Sequence, residues 1–374
     1  MQRVLILGGY GNVGIRLADL LLEHTSMLVI LAARNKIKIE AAVAALSAKH
    51  RGNRVDCVVV DASDTKKLMR LLVQVDMVVV ASSTMDNDPQ IAKAALEANI
   101  DYFDLNLSAT EKIKGLRKLA PRIQQSGRCF ITDCGFHPGI PSAMVRFIAN
   151  EFSKLEKANV ASLIKLNSNN NQITESAARE LAEELDDFHP SYFEKKKWKE
   201  SWSHSIRVDF GKKFGHRRCA PLKLEEMWPL PVLIPSLEET GFYIAGFNWI
   251  SDFLVLPVSV AAVKVGHAQV FNPIGKLLRW SFDQFARPPY GVMLKLIASG
   301  IRNDKPAKIT MSLFHEDGYA ITAASVASCI IQYLEGKREP GLHFQGLYIE
   351  PVTFFSDLGK MGVQFEVEEN AGKK

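Results

Sequence analysis

The most constraining feature of the chain stands at its start. Four aliphatic residues, Val4 to Leu7, run into glycines, and Gly9-Tyr10-Gly11-Asn12-Val13-Gly14 then keeps the spacing G-x-G-x-x-G. From Asn12 to Glu23, Val13, Leu17, Leu20 and Leu21 recur at helical spacing. The six-residue pattern alone is common. Between an apolar strand and a helix it is the fingerprint of a dinucleotide site. One glycine makes the tight turn, one lets a pyrophosphate approach the backbone, and one lets helix and strand pack closely. The helix N-terminus adds free N–H groups and positive potential. Gly9, Tyr10, Gly11, Asn12, Val13 and Gly14 are the expected pyrophosphate cradle.

The same alternation continues. Met27–Ala32, Cys57–Val60, Met77–Ala81, Tyr102–Leu105 and Cys129–Thr132 are short apolar runs that predict strands. Lys38–Lys49, Thr65–Gln74, Pro89–Ala98 and Ala109–Ser126 predict helices between them. Such alternation implies a parallel sheet covered on both faces. Right-handed crossovers then make it doubly wound. The pattern changes at Gly135-Phe136-His137-Pro138-Gly139, a turn signal. A helix is expected near Ser142–Phe152, strand-like alternation at Ile206–Phe210 and Lys308–Leu313, and a helix over Ser325–Glu335. The polar run Asn167–Gln172 is too short to be a linker, and no internal repeat is visible. At 374 residues the chain fits two domains. The expected class is α/β: an N-terminal doubly wound Rossmann domain over 1–136, then an α+β substrate domain over 137–339 with a mostly antiparallel sheet.

The end of the second strand bears on the cofactor. An NAD site places a carboxylate there for the ribose 2′-hydroxyl. This chain has Ala32-Ala33-Arg34-Asn35-Lys36 instead. A guanidinium is a planar fork that pairs with a 2′-phosphate, so Arg34 favours NADP(H) over NAD(H), with Lys36 or Lys38 placed to add charge and Asn35 a further candidate contact. Ligands of an open parallel sheet gather at the carboxyl ends of its strands. That position makes candidates of Asp61 and Ala62 after the third strand, and of Ala81, Ser82 and Ser83 after the fourth. Asp104 and Asn106 follow the fifth strand and Gly135 the sixth, as candidate contacts to cofactor or substrate. Asp61 serves equally well as a helix cap.

Composition excludes several classes. The net charge of +5 suits an anionic ligand and is too small and dispersed for nucleic acid. Five cysteines without a CxxC pair point to a reducing compartment, hence a cytoplasmic location, and no His/Cys spacing suggests a metal. The chain enters a strand at once, without room for a signal peptide. The apolar stretch Gly241–Val265 contains Asn248, Asp252 and Pro257. Its charge-free part, Phe253–Val263, is too short to cross a bilayer. Core and interaction surface both remain open for it.

These residues together resemble the saccharopine dehydrogenase superfamily. The likeness is carried by the Gly9–Gly14 loop, Ala32-Ala33-Arg34-Asn35, Asp61-Ala62, Tyr102-Phe103-Asp104 and Cys134-Gly135-Phe136-His137-Pro138-Gly139. Asp317-Gly318-Tyr319, Thr322-Ala323 and Pro340-Gly341 add to it. It is dense to about residue 145 and sparse over 159–300. The resemblance implies an NADP-dependent oxidoreductase acting on a C–N bond of an amino-acid-derived secondary amine or imine. It also implies a C-terminal segment, about 340–366, packing back on the first domain, and a homodimer. Saccharopine reductases carry an acid where this chain has His137. His137 is the candidate proton-transfer group, since an imidazole titrates near neutrality; shaping the turn or contacting the cofactor is its competing role. Two other functions stay open: reduction of a hydrophobic carbonyl or C=C substrate, and a non-catalytic NADP(H) sensor.

Overall fold

The computed structural model describes residues 2–82, 88–165, 175–248, 250–336 and 338–370; the side chains of 175–177, 180, 184, 253 and 370 fall outside the description. Ser83 and Asn167–Gln172 therefore lie outside the described residues. The chain divides into two compact units, Met1–Ile140 with Tyr319–Met361, and Pro141–Gly318 with Gly362–Lys374.

The first unit opens with β1 (Arg3–Leu7), α1 (Asn12–His24), β2 (Leu28–Ala33), α2 (Lys36–Lys49), β3 (Val55–Val59) and α3 (Thr65–Leu72). β4 (Met77–Val80), α4 (Asp88–Glu97), β5 (Asp101–Asp104), α5 (Thr110–Ser126) and β6 (Cys129–Thr132) follow. The strand order from one edge is β6-β5-β4-β1-β2-β3, all parallel. This is the arrangement of two mononucleotide-binding halves meeting between β1 and β4. Helices on both faces leave the central strands no solvent, which is why β4, β5 and β6 are buried at every residue. α5 ends at Gly127, whose φ of +69° is the left-handed cap that glycine adopts without strain.

The second unit holds α6 (Ile140–Ala149), β7 (Lys154–Lys165), α7 (Glu175–Glu184), β8 (Ser191–Glu194), β9 (Lys197–Glu200), β10 (Ile206–Asp209) and α8 (Gly211–Phe214). Then come β11 (His216–Leu222), α9 (Leu230–Leu233), β12 (Glu239–Ala245), α10 (Leu256–Gly266), α11 (Phe271–Phe285), β13 (Gly291–Arg302) and β14 (Lys305–His315). Its sheet is mostly antiparallel, with β12 parallel to β7 as the exception. The apolar stretch Gly241–Val265 divides between two elements. Phe242 and Tyr243 are buried in β12, whereas Leu254, Val258 and Val265 are exposed.

The chain then adds α12 (Gly318–Glu335), β15 (Gly341–Phe344), α13 (Gln345–Tyr348) and α14 (Pro351–Lys360) to the first unit, and β16 (Gln364–Asn370) to the second. β15 extends the parallel sheet beside β6, and β16 pairs with β14. This corrects two sequence expectations. A boundary at 339 puts α12 in the second domain, yet Ile321, Val326, Ile330 and Tyr333 of α12 are fully buried, and Tyr333 donates to Asp101 of β5. The returning segment also ends at Met361 rather than 366, because residues from Gln364 on pair with β14.

Candidate functional site

The glycine loop closes the carboxyl end of β1. Gly8 N–H and Gly9 N–H both donate to the Ala32 carbonyl, and Gly11 N–H donates back to Gly8. The sharp turn falls on Gly8, with φ +85°, one residue before the six-residue motif. The motif glycines serve close approach instead. A Cβ on Gly9 would sit 2.7 Å from the Leu31 Cβ, and one on Gly14 would sit 2.3 Å from the Gly8 carbonyl oxygen. Gly11 is the N-cap of α1 and supplies no side-chain acceptor. The first-turn amides of Asn12, Val13 and Gly14 thus face a cradle without a capping side chain, at the positive end of a 13-residue helix. An anion is what such an end holds.

Two neighbouring strand ends meet this loop. Beyond β2, Arg34 is exposed. Asn35 caps α2, accepting from Lys38 N–H at 3.0 Å, so its side-chain oxygen has a local role. The Lys38 Nζ lies 5.8 Å from the centre of the Tyr10 ring, which ties the start of α2 to the glycine loop. Asp61, after β3, accepts from the backbone and hydroxyl of Ser63. Those bonds hold its carboxyl below the usual range, with the charge of Arg34 a smaller contribution. Arg34 and Asp61 therefore share one region of the sheet edge, while Ala62 packs partly into the core. Beyond β4, the Ala81 carbonyl crowds Gly8, and Ala81 and Ser82 are half-buried.

The loop after β6 is built differently. Gly135 has φ +157° and Gly139 φ +119°, and a Cβ on Gly139 would meet the Gln345 side chain at 2.6 Å. Ser325 of α12 donates to the Gly135 carbonyl at 2.8 Å and accepts from Gln345 at 2.8 Å. Both side chains are fully buried. This latch holds Gly135 through its backbone. His137 lies against Phe136, ring centres 4.9 Å apart, with both ring nitrogens shielded from solvent. Burial pushes its pKa down to about 4. A group with that value is neutral at pH 7, and as an acid it is poorly matched to that pH.

Sequence reasoning missed the densest electrostatic feature of the unit. Lys112, in the first turn of α5, is 1% exposed. Its ammonium donates to Asp104 at 2.7 Å, to Asp133 at 2.9 Å and to the Asn106 carbonyl. Asn106 donates in turn to Asp88 at 2.7 Å, and Ser108 donates to Asp133. Asp88, Asp104 and Asp133 are all 0% exposed. Asp104 and Asp133 thus pair with one ammonium at the carboxyl ends of β5 and β6, and Asp88, at the start of α4, joins them through Asn106. They raise the Lys112 pKa despite its burial. Asp133 is raised above the usual carboxylate range, burial outweighing Lys112. Asn106 gives its side-chain nitrogen and its carbonyl to this cluster. A lysine within Thr110-Glu111-Lys112-Ile113-Lys114 carries no sequence mark of burial.

Among the described residues no group of three or more His, Cys, Asp or Glu is arranged to hold a metal ion. All five cysteines are free, and no described helix is long and apolar enough to cross a membrane.

Residues 4–131 match the family model of the saccharopine dehydrogenase NADP binding domain. Among solved structures, the chain is similar to an apo saccharopine dehydrogenase (L-Glu forming) from Saccharomyces cerevisiae. The TM-score is 0.70 and the identity 15%, over 99% of this chain and 100% of that one. It is also similar to a DAP dehydrogenase in complex with DAP from C. glutamicum, with TM-score 0.48 and 12% identity over 96% of this chain and 98% of that one. At these identities the first likeness shows the fold alone. Comparison with curated proteins gives no match.

Proposed function

We propose, from the match of residues 4–131 to the saccharopine dehydrogenase NADP binding domain, that the chain is an NAD(P)-dependent oxidoreductase of that superfamily and uses NADP(H) to act on a C–N bond. One observation carries the cofactor preference: at the end of β2, beside the glycine loop, stands the exposed Arg34, and no carboxylate occupies that place. Gly9 to Gly14 hold the pyrophosphate on the open end of α1, and Arg34 pairs with the 2′-phosphate. Asp61, Ala62, Ala81 and Ser82 line the edge on either side. When bound, the cofactor supplies or accepts a hydride at the nicotinamide ring.

The state of His137 favours C–N over C=O chemistry. Reduction of a carbonyl calls for a proton at oxygen as the hydride arrives, and an imidazole with a pKa of about 4 does not carry one at pH 7. A protonated imine brings its own proton, so the protein has only to position it. An amino-acid-derived secondary amine is the corresponding substrate in the oxidative direction. The test is a panel of such amines, and of imines formed in solution from amino acids and keto acids, followed by reduced-nicotinamide absorbance. Turnover with a member of the panel and none with simple ketones is expected. Turnover confined to ketones or activated alkenes would reverse the assignment.

The same observation gives the sensor reading its support, since a sensor requires no proton-transfer group. It predicts nucleotide binding that differs between oxidation states, with no turnover on any substrate.

A further inference from the structure

The apolar stretch that runs into α10 has two unlike sides. On the inner side Val255, Ser259 and Val263 are buried. Val255 and Val263 pack with Ala178 and Ala182 of α7 and with Leu278 and Phe282 of α11. On the outer side Leu254 is 62% exposed, Val258 55% and Val265 86%. Pro257 and Ala261 are exposed as well. Positions 254, 258, 261 and 265 follow one another at helical spacing, so they form a single stripe along the turn Ser251–Val255 and α10. A helix at a protein surface ordinarily turns its polar side to water. Here the hydroxyl of Ser259 lies inside and the aliphatic side chains lie outside.

The rim of the stripe is cationic. Lys264 is exposed, and its ammonium lies 5.5 Å from the centre of the Trp202 ring and meets no carboxylate among the described residues. Trp202 is itself 59% exposed and stacks on Phe188, ring centres 5.2 Å apart. Between Asp252 and Asp283 the sequence holds Lys264, Lys276 and Arg279 and no Asp or Glu. The acids around this stretch face other groups: Asp252 accepts from the Phe247 N–H, Asp283 lies by Arg279, and Asp186 lies by His267. A symmetric pairing of two copies would set the same cationic rim against itself. An anionic bilayer supplies both missing partners, hydrocarbon for Leu254, Val258 and Val265 and acidic headgroups for Lys264. Tryptophan settles at headgroup level, and Trp202 stands at the rim to do so.

We propose that the outer stripe of α10, with Lys264 and Trp202 at its rim, docks the second unit on an anionic phospholipid bilayer. The helix has 11 residues, about 16 Å of length, so it lies along the membrane surface and does not cross it. Leu254, Val258 and Val265 enter the boundary between headgroups and acyl chains, and Lys264 stays among the headgroups. The inward side of the helix keeps its packing against α7 and α11, so docking asks for no refolding of the unit. The docking is independent of the cofactor reading and holds whatever the substrate is.

The test is flotation of the full chain with vesicles of phosphatidylcholine and phosphatidylserine in equal parts, and with vesicles of phosphatidylcholine alone. Wild-type protein is expected to float with the mixed vesicles and to bind the neutral ones several-fold more weakly. The double variant Val258→Asp with Val265→Asp should lose at least about tenfold of the partition coefficient, because it removes apolar contact and adds charge that the headgroups repel. Lys264→Glu reverses one rim charge and should lose about fivefold or more on the mixed vesicles. It is read by itself if the double variant fails to fold. Wild-type protein that floats with neither vesicle, or variants that float as well as wild type, would overturn the proposal. A dimer in light scattering that the double variant dissolves, with no vesicle binding, would assign the stripe to a second copy and overturn it equally.

Discussion

His137 shows how surroundings decide what a side chain can do. In the sequence it stands in the discriminating loop, in place of an acid, with the intrinsic pKa of a neutral-pH catalyst. In the fold its nitrogens are shielded and its pKa falls from 6.5 to about 4. That shift is also a statement about stability. Between pH 6.5 and 4 the unfolded chain takes up a proton at this position that the folded chain refuses. The contribution is therefore complete above about pH 6.5 and is lost as pH falls toward 4. Urea unfolding should show wild-type protein losing stability over this window by up to about 3 kcal/mol more than His137→Asn loses. Parallel curves for the two proteins would contradict it. Lys112 is the converse case. Its neighbours Glu111 and Lys114 are exposed, and nothing in the sequence separates it from them. Only the meeting of the β5 and β6 ends makes it a buried partner, so no local pattern could have revealed it.

Elements whose identity depends on local periodicity were legible. The six strands and five helices of the first 132 residues fall within two residues of their expected starts and ends, because alternating apolar strands and amphipathic helices report burial directly. The turn glycine was not legible, since Gly8 and Gly9 are adjacent and only the backbone geometry shows that Gly8 takes the positive φ. Two predictions belong at this scale. Gly14→Ala forces a Cβ to within 2.3 Å of the Gly8 oxygen, so α1 must move off the loop. Nucleotide binding should fall at least tenfold and the melting temperature should drop; unaltered affinity would show that the loop is not the cradle. Ser325→Ala breaks the latch between Gly135 and Gln345. With buried polar atoms left unmatched it should cost about 1–3 kcal/mol in urea unfolding, and a cost near zero would mean the loop holds itself.

At the scale of the whole molecule, the return of the chain to the first unit governs the architecture. The sequence resemblance implied that a C-terminal segment packs back, but it placed the start of that segment near 340. The earlier helix α12 is apolar on nearly every face, a pattern that marks burial without saying in which unit. Without 319–361, β6 loses its neighbour β15, Asp101 loses Tyr333, and Gly135 loses Ser325. Residues 1–140 alone are therefore expected to lack a cooperative thermal transition, and joining 319–361 to them should restore it. A sharp transition from 1–140 would refute this dependence. The second unit was legible only as an α+β mixture, because its long antiparallel pairings join residues far apart in sequence and leave no local trace beyond alternation.

The central claim is that the strand ends around the glycine loop form an NADP(H) site, with Arg34 reading the 2′-phosphate. Calorimetric titration of wild-type protein and Arg34→Asp with NADP(H) and NAD(H) tests it most directly. Wild-type protein should bind NADP(H) more tightly. Arg34→Asp should lose about 10- to 100-fold of that affinity, as expected for a charge-assisted hydrogen bond, and keep its affinity for NAD(H). Equal losses for both nucleotides, or wild-type protein that prefers NAD(H), would contradict the account.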